Sequence, residues 1–362
     1  MASFLKNLFE DEQASKAERV VGIDIGSTSI KVVELENKDH TLNLTTYGEI
    51  LVGPYADAEL GENVTLSAKQ EQTALIDILR EASVKAHDAV FTVPLSSSFV
   101  TVMTLPEPNS SVDISQRVSL EARKYIPIPM NEVTLDWAEI TGYKKDKKQE
   151  GRDILLVAIQ NDVLTRINTL MKYTNLPGQT TEIECFSAIR SNFDLNNEDI
   201  ITIVDCGGAS TKIYIVRDGL LNQIHRIRSG GVHITNQIAD DIKIDFADAE
   251  NRKREYVGQS DEVGYVIRRI HEKNLNRIFT EVKQVMNHYE SENEQKIQKM
   301  ILIGGVTGYP HITDFVSGII DCKVEISTSF EKVKYPAFIE DVVNDIGPVF
   351  TTALGAAMRY FE

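Results

Sequence analysis

The chain has 362 residues, of which 42% are hydrophobic and 25% are charged, and its formal net charge is −16. This length allows two lobes with a cleft between them. The acidic balance argues against nucleic acid as a partner, because sequence-independent binding of nucleic acid needs a basic face. Cysteine occurs three times and never as Cys-x-x-Cys, which favours a reducing, cytoplasmic compartment without a disulfide framework.

Residues 1–19 are predicted to be an N-terminal segment and linker. An apolar face of a short helix could form from four side chains, Phe4, Leu5, Leu8 and Phe9. Two interpretations stay open: this face docks on a partner or a membrane surface, or the segment is a frayed terminus. No apolar run in the chain reaches the roughly 18 residues of a membrane-spanning helix.

The first lobe is predicted at residues 20–97. Val21, Ile23 and Ile25 indicate a short buried strand, which a Gly-Ser-Thr-Ser turn joins to a second strand at residues 30–35. Apolar periodicity then predicts a strand, a helix and a strand at residues 42–51, 70–82 and 89–93. The order is therefore β-β-β-α-β.

Residues 98–174 show a different pattern of strands and helices and are predicted to form a small inserted α+β subdomain. The pattern β-α-β-β-α falls on residues 99–105, 114–125, 133–140, 153–159 and 162–173. The lysine-rich stretch 144–148 between the third and fourth elements reads as a solvated turn. Residues 175–199 would complete the first lobe with a strand at 180–183 and a helix that begins at Glu184.

The second lobe is predicted at residues 200–362. It opens with a hairpin at 201–216 and a third strand at 220–228. A long helical region follows over 232–288, interrupted near Gly258, and forms a helical subdomain at about 232–298. The remaining elements are a strand at 300–303, a helix at 314–319, a strand at 324–326 and a small-residue helix at 347–360.

One motif occurs in both hairpins. The pattern Asp-x-Gly-x-x-Ser-x-Lys is found at Asp24, Gly26, Ser29 and Lys31, and again at Asp205, Gly207, Ser210 and Lys212. A single Asp-x-Gly turn is usually an ordinary hairpin, but two matched copies indicate a duplicated site.

The chemistry of the motif is that of phosphate binding. A glycine without a Cβ lets its backbone N–H approach an anion, and serine and threonine hydroxyls add donors. An aspartate at the strand end suits Mg²⁺, which keeps several waters and binds through few carboxylates. No Gly-x4-Gly-Lys-Ser/Thr and no Gly-x-Gly-x-x-Gly sequence occurs, so P-loop and dinucleotide sites are excluded.

Each lobe opens with three strands led by such a hairpin, and this duplication resembles the actin, hexokinase and sugar-kinase superfamily. The resemblance implies an α/β, actin-like (ribonuclease H-like) two-lobed fold with duplicated β-β-β-α-β-α cores and the small inserted α+β subdomain. The stretch Ile301-Leu302-Ile303-Gly304-Gly305-Val306 resembles the adenosine motif of that superfamily, in which a nucleoside lies on the glycine backbone.

Three further stretches agree with this resemblance. Ala249-Glu250-Asn251-Arg252-Lys253 resembles an FtsA-like helix that contacts ribose and adenine, although an exposed ion pair between Glu250 and Lys253 is the alternative. Glu184 stands where a connecting helix begins, but the usual Glu-Pro is here Glu184-Cys185. Residues 347–355 resemble the second connecting helix, where small residues let the lobes approach.

The connecting helices between the lobes, the inserted subdomain and the chain length together resemble those of the PilM family of type IV pilus assembly proteins. The strongest part is the stretch 121–127, Glu-Ala-Arg-Lys-Tyr-Ile-Pro, followed by 133–137, Val-Thr-Leu-Asp-Trp. The resemblance covers about residues 20–359. FtsA, the related division protein, would be expected to add a C-terminal membrane-binding helix after a linker. The chain stops at Glu362, just past the last predicted core helix, so we expect a PilM-like and not an FtsA-like protein.

The resemblance implies ATP and Mg²⁺ as ligands. Asp24 and Asp205 would hold hydrated Mg²⁺, and Glu184 would position water or metal for hydrolysis of the γ-phosphate. The phosphates would be bound by Gly26, Ser27, Thr28, Ser29, Lys31, Gly207, Gly208, Ala209, Ser210 and Thr211. The nucleoside would be bound by Gly231, Glu250, Lys253, Gly304, Gly305 and Val306. For Lys31 and Lys212, an outward-facing strand lysine is the favoured alternative.

The implied function is a nucleotide-responsive platform with slow or regulatory hydrolysis. Its partner would be the cytoplasmic N-terminal tail of PilN, bound in an apolar groove between the inserted subdomain and the first lobe. The protein would lie at the inner face of the cytoplasmic membrane and link the inner-membrane complex to the pilus motor ATPases. The alternatives are an FtsA-like filament or other homo-oligomer, and a small-molecule kinase. Against the kinase, the sequence shows no set of residues typical of a sugar-binding site, such as a general-base aspartate.

Overall fold

The computed structural model describes residues 18–106, 113–140, 151–174, 176, 178–193, 199–255 and 262–361. Three sequence-based predictions therefore lie outside the described residues: the apolar face at Phe4 to Phe9, the lysine-rich turn at 144–148 and the helix interruption near Gly258. Among the described helices, none has the length and apolar character that crossing a bilayer requires.

The first sheet has five strands in the order β3-β2-β1-β4-β8. Its strands are β1 (Arg19–Ile25), β2 (Ser29–Lys38), β3 (Thr41–Leu51), β4 (Asp88–Val93) and β8 (Gly178–Ile183). Strands β1 to β3 are antiparallel, whereas β4 and β8 run parallel to β1. Most residues of β1 and β2 are buried on both faces, which explains their nearly continuous apolar sequence.

The second sheet repeats this topology, with the order β11-β10-β9-β12-β13. Its strands are β9 (Ile200–Cys206), β10 (Thr211–Arg217), β11 (Leu220–Ile227), β12 (Lys299–Gly304) and β13 (Lys323–Ile326). The motif hairpin forms the same two positions in each sheet, β1-β2 and β9-β10. The duplicated core that the sequence predicts is confirmed.

A third, antiparallel sheet has the order β5-β7-β6 and belongs to the insertion. Its strands are β5 (Ser98–Leu105), β6 (Val133–Glu139) and β7 (Arg152–Gln160). Helix α2 (Ile114–Ala122) buries Val118 against this sheet and ends three residues before the predicted boundary. Helix α3 (Asn161–Tyr173) buries Ile167 and Leu170 in the core of the first lobe, so α3 joins the two parts.

The other helices connect or cover the two large sheets. They are α1 (Ala68–Glu81), α4 (Glu184–Asn192), α5 (Gly231–Ile242), α6 (Phe246–Glu255), α7 (Glu262–Asn293), α8 (Ile312–Ser317) and α9 (Glu340–Met358). A capping box between Ser67 and Gln70 fixes the start of α1. Helix α5 ends at Ile242, and the next residue, Lys243, caps it with a φ of 63° and donates its backbone N–H to the Ala239 carbonyl. The predicted helical region is thus already divided at this point.

Helix α9 differs from its prediction in two respects. It begins at Glu340 and not at residue 347, so Pro348 lies inside the helix instead of at its start. The predicted division placed α9 with the second lobe, whereas its apolar face packs on β1 and β2 of the first sheet. The reason is close approach: a Cβ on Gly22 would lie 2.0 Å from the Ala353 carbonyl oxygen, and one on Gly355 would lie 1.8 Å from the Ser187 carbonyl oxygen.

Candidate functional site

The two motif turns face each other across a cleft. Each turn is closed in the same way, since the Gly26 N–H donates to the Ser29 carbonyl at 2.9 Å and the Gly207 N–H donates to the Ser210 carbonyl at 3.0 Å. A Cβ on Gly208 would lie 2.5 Å from the Thr28 methyl carbon, so the tips of the turns are in contact. The duplicated sequence therefore builds the two sides of one site.

Every residue that the sequence assigned to the site lines this cleft, which has a volume of about 730 Å³. The lining includes Asp24, Gly26, Ser27, Thr28, Ser29, Lys31, Glu184, Asp205, Gly207, Gly208, Ala209, Ser210, Thr211, Gly231, Glu250, Lys253, Gly304, Gly305 and Val306. The Thr211 side chain is fully buried and its hydroxyl donates to the Ser229 carbonyl, so this hydroxyl already has a partner within the wall.

Three carboxylates and one ammonium group lie together at one end of the cleft. The Lys212 Nζ donates to Glu184 Oε2 at 2.6 Å and to Asp205 Oδ2 at 3.1 Å. The other Glu184 oxygen accepts the Leu95 N–H at 2.7 Å, and Asp24 accepts the Thr92 hydroxyl at 2.7 Å. Strand ends of both sheets and the start of α4 position these groups.

The outward-facing interpretation of the two motif lysines is wrong. The Lys212 side chain is 17% exposed, and that of Lys31 is 13% exposed. Lys31 donates to the Ser29 hydroxyl at 2.6 Å and pairs with Glu49 at 3.1 Å. Both lysines point inward because the face of the hairpin that carries them forms the cleft wall.

Burial and charge act against each other in this cluster. Burial lowers the pKa of Lys212, but the neighbouring Asp205 and Glu184 carboxylates outweigh burial and raise it. Burial raises the pKa of Glu184, an effect that the Lys212 ammonium opposes. Lys212 is therefore a cation, and its main partner is the carboxylate assigned to catalysis.

The acidic residues suit a hydrated Mg²⁺ better than a fully protein-bound metal. Among the described residues, no group of three His, Cys, Asp or Glu side chains has the arrangement of a metal site. Mg²⁺ is commonly held by one or two carboxylates together with waters and substrate phosphate oxygens. Asp24 and Asp205, one at the end of each motif strand, match that donor set.

Gly304, the last residue of β12, and Gly305, which follows it, line the cleft beside Asp205, and a Cβ added at Gly304 would lie 2.9 Å from Asp205 Oδ1. Gly304 has a φ of 82°, and a Cβ there would lie 2.6 Å from the Cys206 carbonyl oxygen, so the position requires glycine. A Cβ added to Gly305 would have no atom of the described residues within 4 Å, so the backbone of Gly305 is open to the cleft. This geometry fits a flat group lying on the backbone.

The helical subdomain supplies the wall beside these glycines. Glu250 is 5% exposed and accepts hydrogen bonds from Thr235, Lys253 and Arg254. The alternative of an exposed ion pair between Glu250 and Lys253 is therefore wrong. Although burial opposes ionisation, Lys253 holds the pKa of Glu250 below its ordinary value.

Two parts of the cleft escaped the sequence-based reasoning. His271 and Tyr309 line the cleft near Gly305, and their rings stack with centroids 5.4 Å apart. The sequence feature that could have predicted this wall is Tyr309, an aromatic residue four positions after Gly305. The irregular connection after β3 also lines the cleft, and a Cβ on Gly61 would lie 3.1 Å from the Glu250 side chain. This connection brings the first lobe into contact with α6.

The profile of the family described as type IV pilus assembly protein PilM matches residues 22–361. The chain belongs to the PilM family. A solved PilM-PilN type IV pilus biogenesis complex resembles it with a TM-score of 0.79, at 19% identity over 95% of this chain and 98% of that chain. The family that the sequence suggested is confirmed.

More distant proteins share the fold of this PilM-family chain. EutJ from Carboxydothermus hydrogenoformans matches with a TM-score of 0.55 and 15% identity, over 95% of this chain and 91% of that one. MreB5 of Spiroplasma citri bound to ADP matches with a TM-score of 0.50 and 13% identity, over 93% and 94%. The cell division protein FtsA of Enterococcus faecalis is 22% identical over 356 residues, 86% of this chain and 79% of that protein. The actin-like fold is thereby confirmed.

Proposed function

We propose that this PilM-family protein binds ATP with Mg²⁺ in the cleft and acts as a nucleotide-responsive platform in type IV pilus assembly. The observation that carries the proposal is that all residues assigned to phosphate, metal and nucleoside line one cleft. Structures of MreB5 of Spiroplasma citri, which shares the fold, were solved bound to ADP and to AMPPNP, and they support this ligand class.

Each group in the cleft would have one role. The backbone N–H groups of the two turns would bind the phosphates, and the glycines after β12 would support the nucleoside beside Glu250 and Lys253. Mg²⁺ held at Asp24 and Asp205 would neutralise phosphate charge. Glu184 would orient the attacking water, but its ion pair with Lys212 at 2.6 Å keeps that carboxylate engaged. Hydrolysis is therefore expected to be slow or regulatory.

The PilN tail would bind in the groove between the insertion and the first lobe. Helices α1 and α3 meet there, joined by an ion pair of 3.0 Å between Glu71 and Arg166. Val64 and Leu66 add apolar surface to the same wall, and all four residues line the cleft. A peptide could lie in such a groove with apolar side chains as anchors.

The groove and the nucleotide end share one wall, which gives a route for coupling. The connection that carries Val64 also contains Gly61, which packs against Glu250 of α6. A change in the angle between the lobes would therefore move the peptide groove as well. In this role the protein lies peripherally at the inner face of the cytoplasmic membrane and links PilN to the pilus motor ATPases.

A peptide-binding measurement tests the coupling. The affinity of a synthetic PilN N-terminal peptide is measured with no nucleotide, with Mg-ADP and with Mg-ATP, for the unmodified protein and for Asp205→Ala. We expect Mg-ATP to change the peptide affinity of the unmodified protein and to have no effect on the variant, which loses a metal ligand. The same peptide affinity in all conditions would remove the coupling, and no peptide binding would remove PilN as the partner.

Filament formation, as an FtsA-like protein, is the second candidate, and the similarity to a cell division protein FtsA keeps this alternative open. Subunits that associate head to tail through unlike surfaces form a closed ring when the rotation between them closes and an open filament when it does not. Sedimentation with Mg-ATP decides the matter: pelleting that depends on nucleotide supports filaments, and a protein that stays in the supernatant at high concentration counts against them.

A further inference from the structure

We propose that Lys212 is the residue that distinguishes a nucleoside triphosphate from a diphosphate, by exchanging its carboxylate partners for the terminal phosphate. This inference rests on the proposed nucleotide function and assigns a specificity-determining role within that cleft. The sequence motif alone does not indicate it, because the two motif lysines are equivalent in sequence.

The position of the Lys212 ammonium is fixed from two sides. Glu184 begins α4, which follows the first sheet, and Asp205 ends β9 of the second sheet. Lys212 contacts both, at 2.6 and 3.1 Å, and therefore bridges the two halves of the duplicated core. A group that pulls Lys212 away from these carboxylates would act on both halves at once.

The two motif lysines differ in what holds them. Lys31 pairs with Glu49 on β3 and with the Ser29 hydroxyl, so its partners lie within the first sheet. Lys212 instead pairs with the carboxylate assigned to catalysis and with one assigned to Mg²⁺. Of the two copies of the motif, only the second thus places its lysine between the carboxylates proposed to act in hydrolysis and in Mg²⁺ binding.

Charge explains why the exchange would favour a triphosphate. Asp24, Glu184 and Asp205 place three carboxylates in this end of the cleft, and they would repel phosphate oxygens without a cation. An ammonium group has three N–H donors, and among the described residues two are used by Glu184 and Asp205. The γ-phosphate is the group of ATP that lies farthest from the nucleoside, and it is the group that ADP lacks.

Equilibrium binding of ATP and ADP, each with Mg²⁺, measures the discrimination as the ratio of the two dissociation constants. Lys212→Gln removes the cation, Lys212→Arg keeps it, and Lys283→Gln removes a lysine that pairs with Asp321 outside the cleft. We expect Lys212→Gln to lower the preference for ATP on the order of tenfold, because a hydrogen bond to a charged group is lost. Lys212→Arg and Lys283→Gln are expected to retain the preference.

The outcomes separate this inference from the proposed function. An equal loss of ATP and ADP affinity in Lys212→Gln, or an unchanged ratio, would overturn the role of Lys212 while leaving the nucleotide site intact. No nucleotide binding by the unmodified protein would overturn both. If Lys212→Gln does not fold, as judged by thermal unfolding, the double variant Lys212→Gln/Glu184→Gln must show the same loss of preference, and a retained preference would contradict the inference.

Discussion

Replacement of Gly355 by alanine is expected to destabilise the protein by about 3 kcal/mol or more, since overpacking against backbone cannot be relieved by a rotamer change. Gly355 lies in α9 where that helix crosses α4, and the added Cβ would stand 1.8 Å from the Ser187 carbonyl oxygen. Alanine is otherwise the better helix former by about 1 kcal/mol. Any loss therefore reports the clash.

Urea or thermal unfolding of the variant measures the effect. Gly308→Ala is the matched control, because a Cβ at Gly308 would meet no described atom within 4 Å. We expect the control to unfold like the unmodified protein. A Gly355→Ala variant of unchanged stability would show that α9 does not pack on α4 as described.

Replacement of Arg190 by leucine is expected to cost about 3–5 kcal/mol at neutral pH, because it leaves a buried carboxylate without its main partner. Arg190 binds Glu182 through two hydrogen bonds of 2.6 and 2.7 Å, and the Glu182 side chain is fully buried. Arg190 also donates to the Gly355 carbonyl. The pair thus joins β8, α4 and α9.

The pH dependence of this effect follows from the pKa of Glu182. Although burial opposes ionisation, Arg190 holds that pKa below its ordinary value of 4.5. In the unmodified protein the contribution of Glu182 to stability is therefore complete above about pH 4.5 and is lost as the pH falls through the depressed folded pKa. Without Arg190, burial favours the neutral form and raises the folded pKa of Glu182 above 4.5, so the cost of the substitution should begin to shrink as the pH falls through that raised pKa and should shrink further below about 4.5.

Two comparisons sharpen this prediction. Arg152→Leu breaks a half-exposed ion pair of 3.3 Å with Glu139 and should cost less than about 1 kcal/mol. The double variant Arg190→Leu/Glu182→Leu removes the two charges of this pair and should recover part of the loss, since the buried Arg359, 3.8 Å from Glu182, then lacks that carboxylate. A cost for Arg190→Leu that does not vary between pH 7 and pH 4 would contradict the assignment of the buried charge to Glu182.

Local patterns were sufficient for most of the fold. Apolar strands around Asp24 and Asp205 repeat in sequence, and the structure forms the same two strands from each copy, because alternation and turn residues act locally. The site followed from the same repeat, since each motif has its glycine and its aspartate at a strand end. Glu250 and Gly304 came from the family resemblance.

The side chains that neutralise buried charge could not be predicted. Lys212 looked like a solvated strand residue, and only the meeting of β10 with α4 places it beside Glu184. The Glu182–Arg190 pair likewise depends on packing between β8, α4 and α9. Helix α9 begins at Glu340, before the predicted start at residue 347, and tertiary packing accommodates Pro348 inside the helix.

The position of α9 matters for the proposed function. This helix packs on the first sheet and α4, and it also contacts β12 beside the glycines of the nucleoside end. A nucleotide that closes the cleft would therefore act on one helix from both sides.

Calorimetric titration of Mg-ATP into the unmodified protein and into Asp205→Ala tests the central claim most directly. The account predicts saturable binding at one site per chain in the unmodified protein and its loss in the variant, because Asp205 would hold the metal and also accepts a hydrogen bond from Lys212. Thermal unfolding of the variant checks that its fold is retained. Absence of heat in the unmodified protein, or the same affinity in a folded Asp205→Ala variant, would contradict the assignment of this cleft to nucleotide.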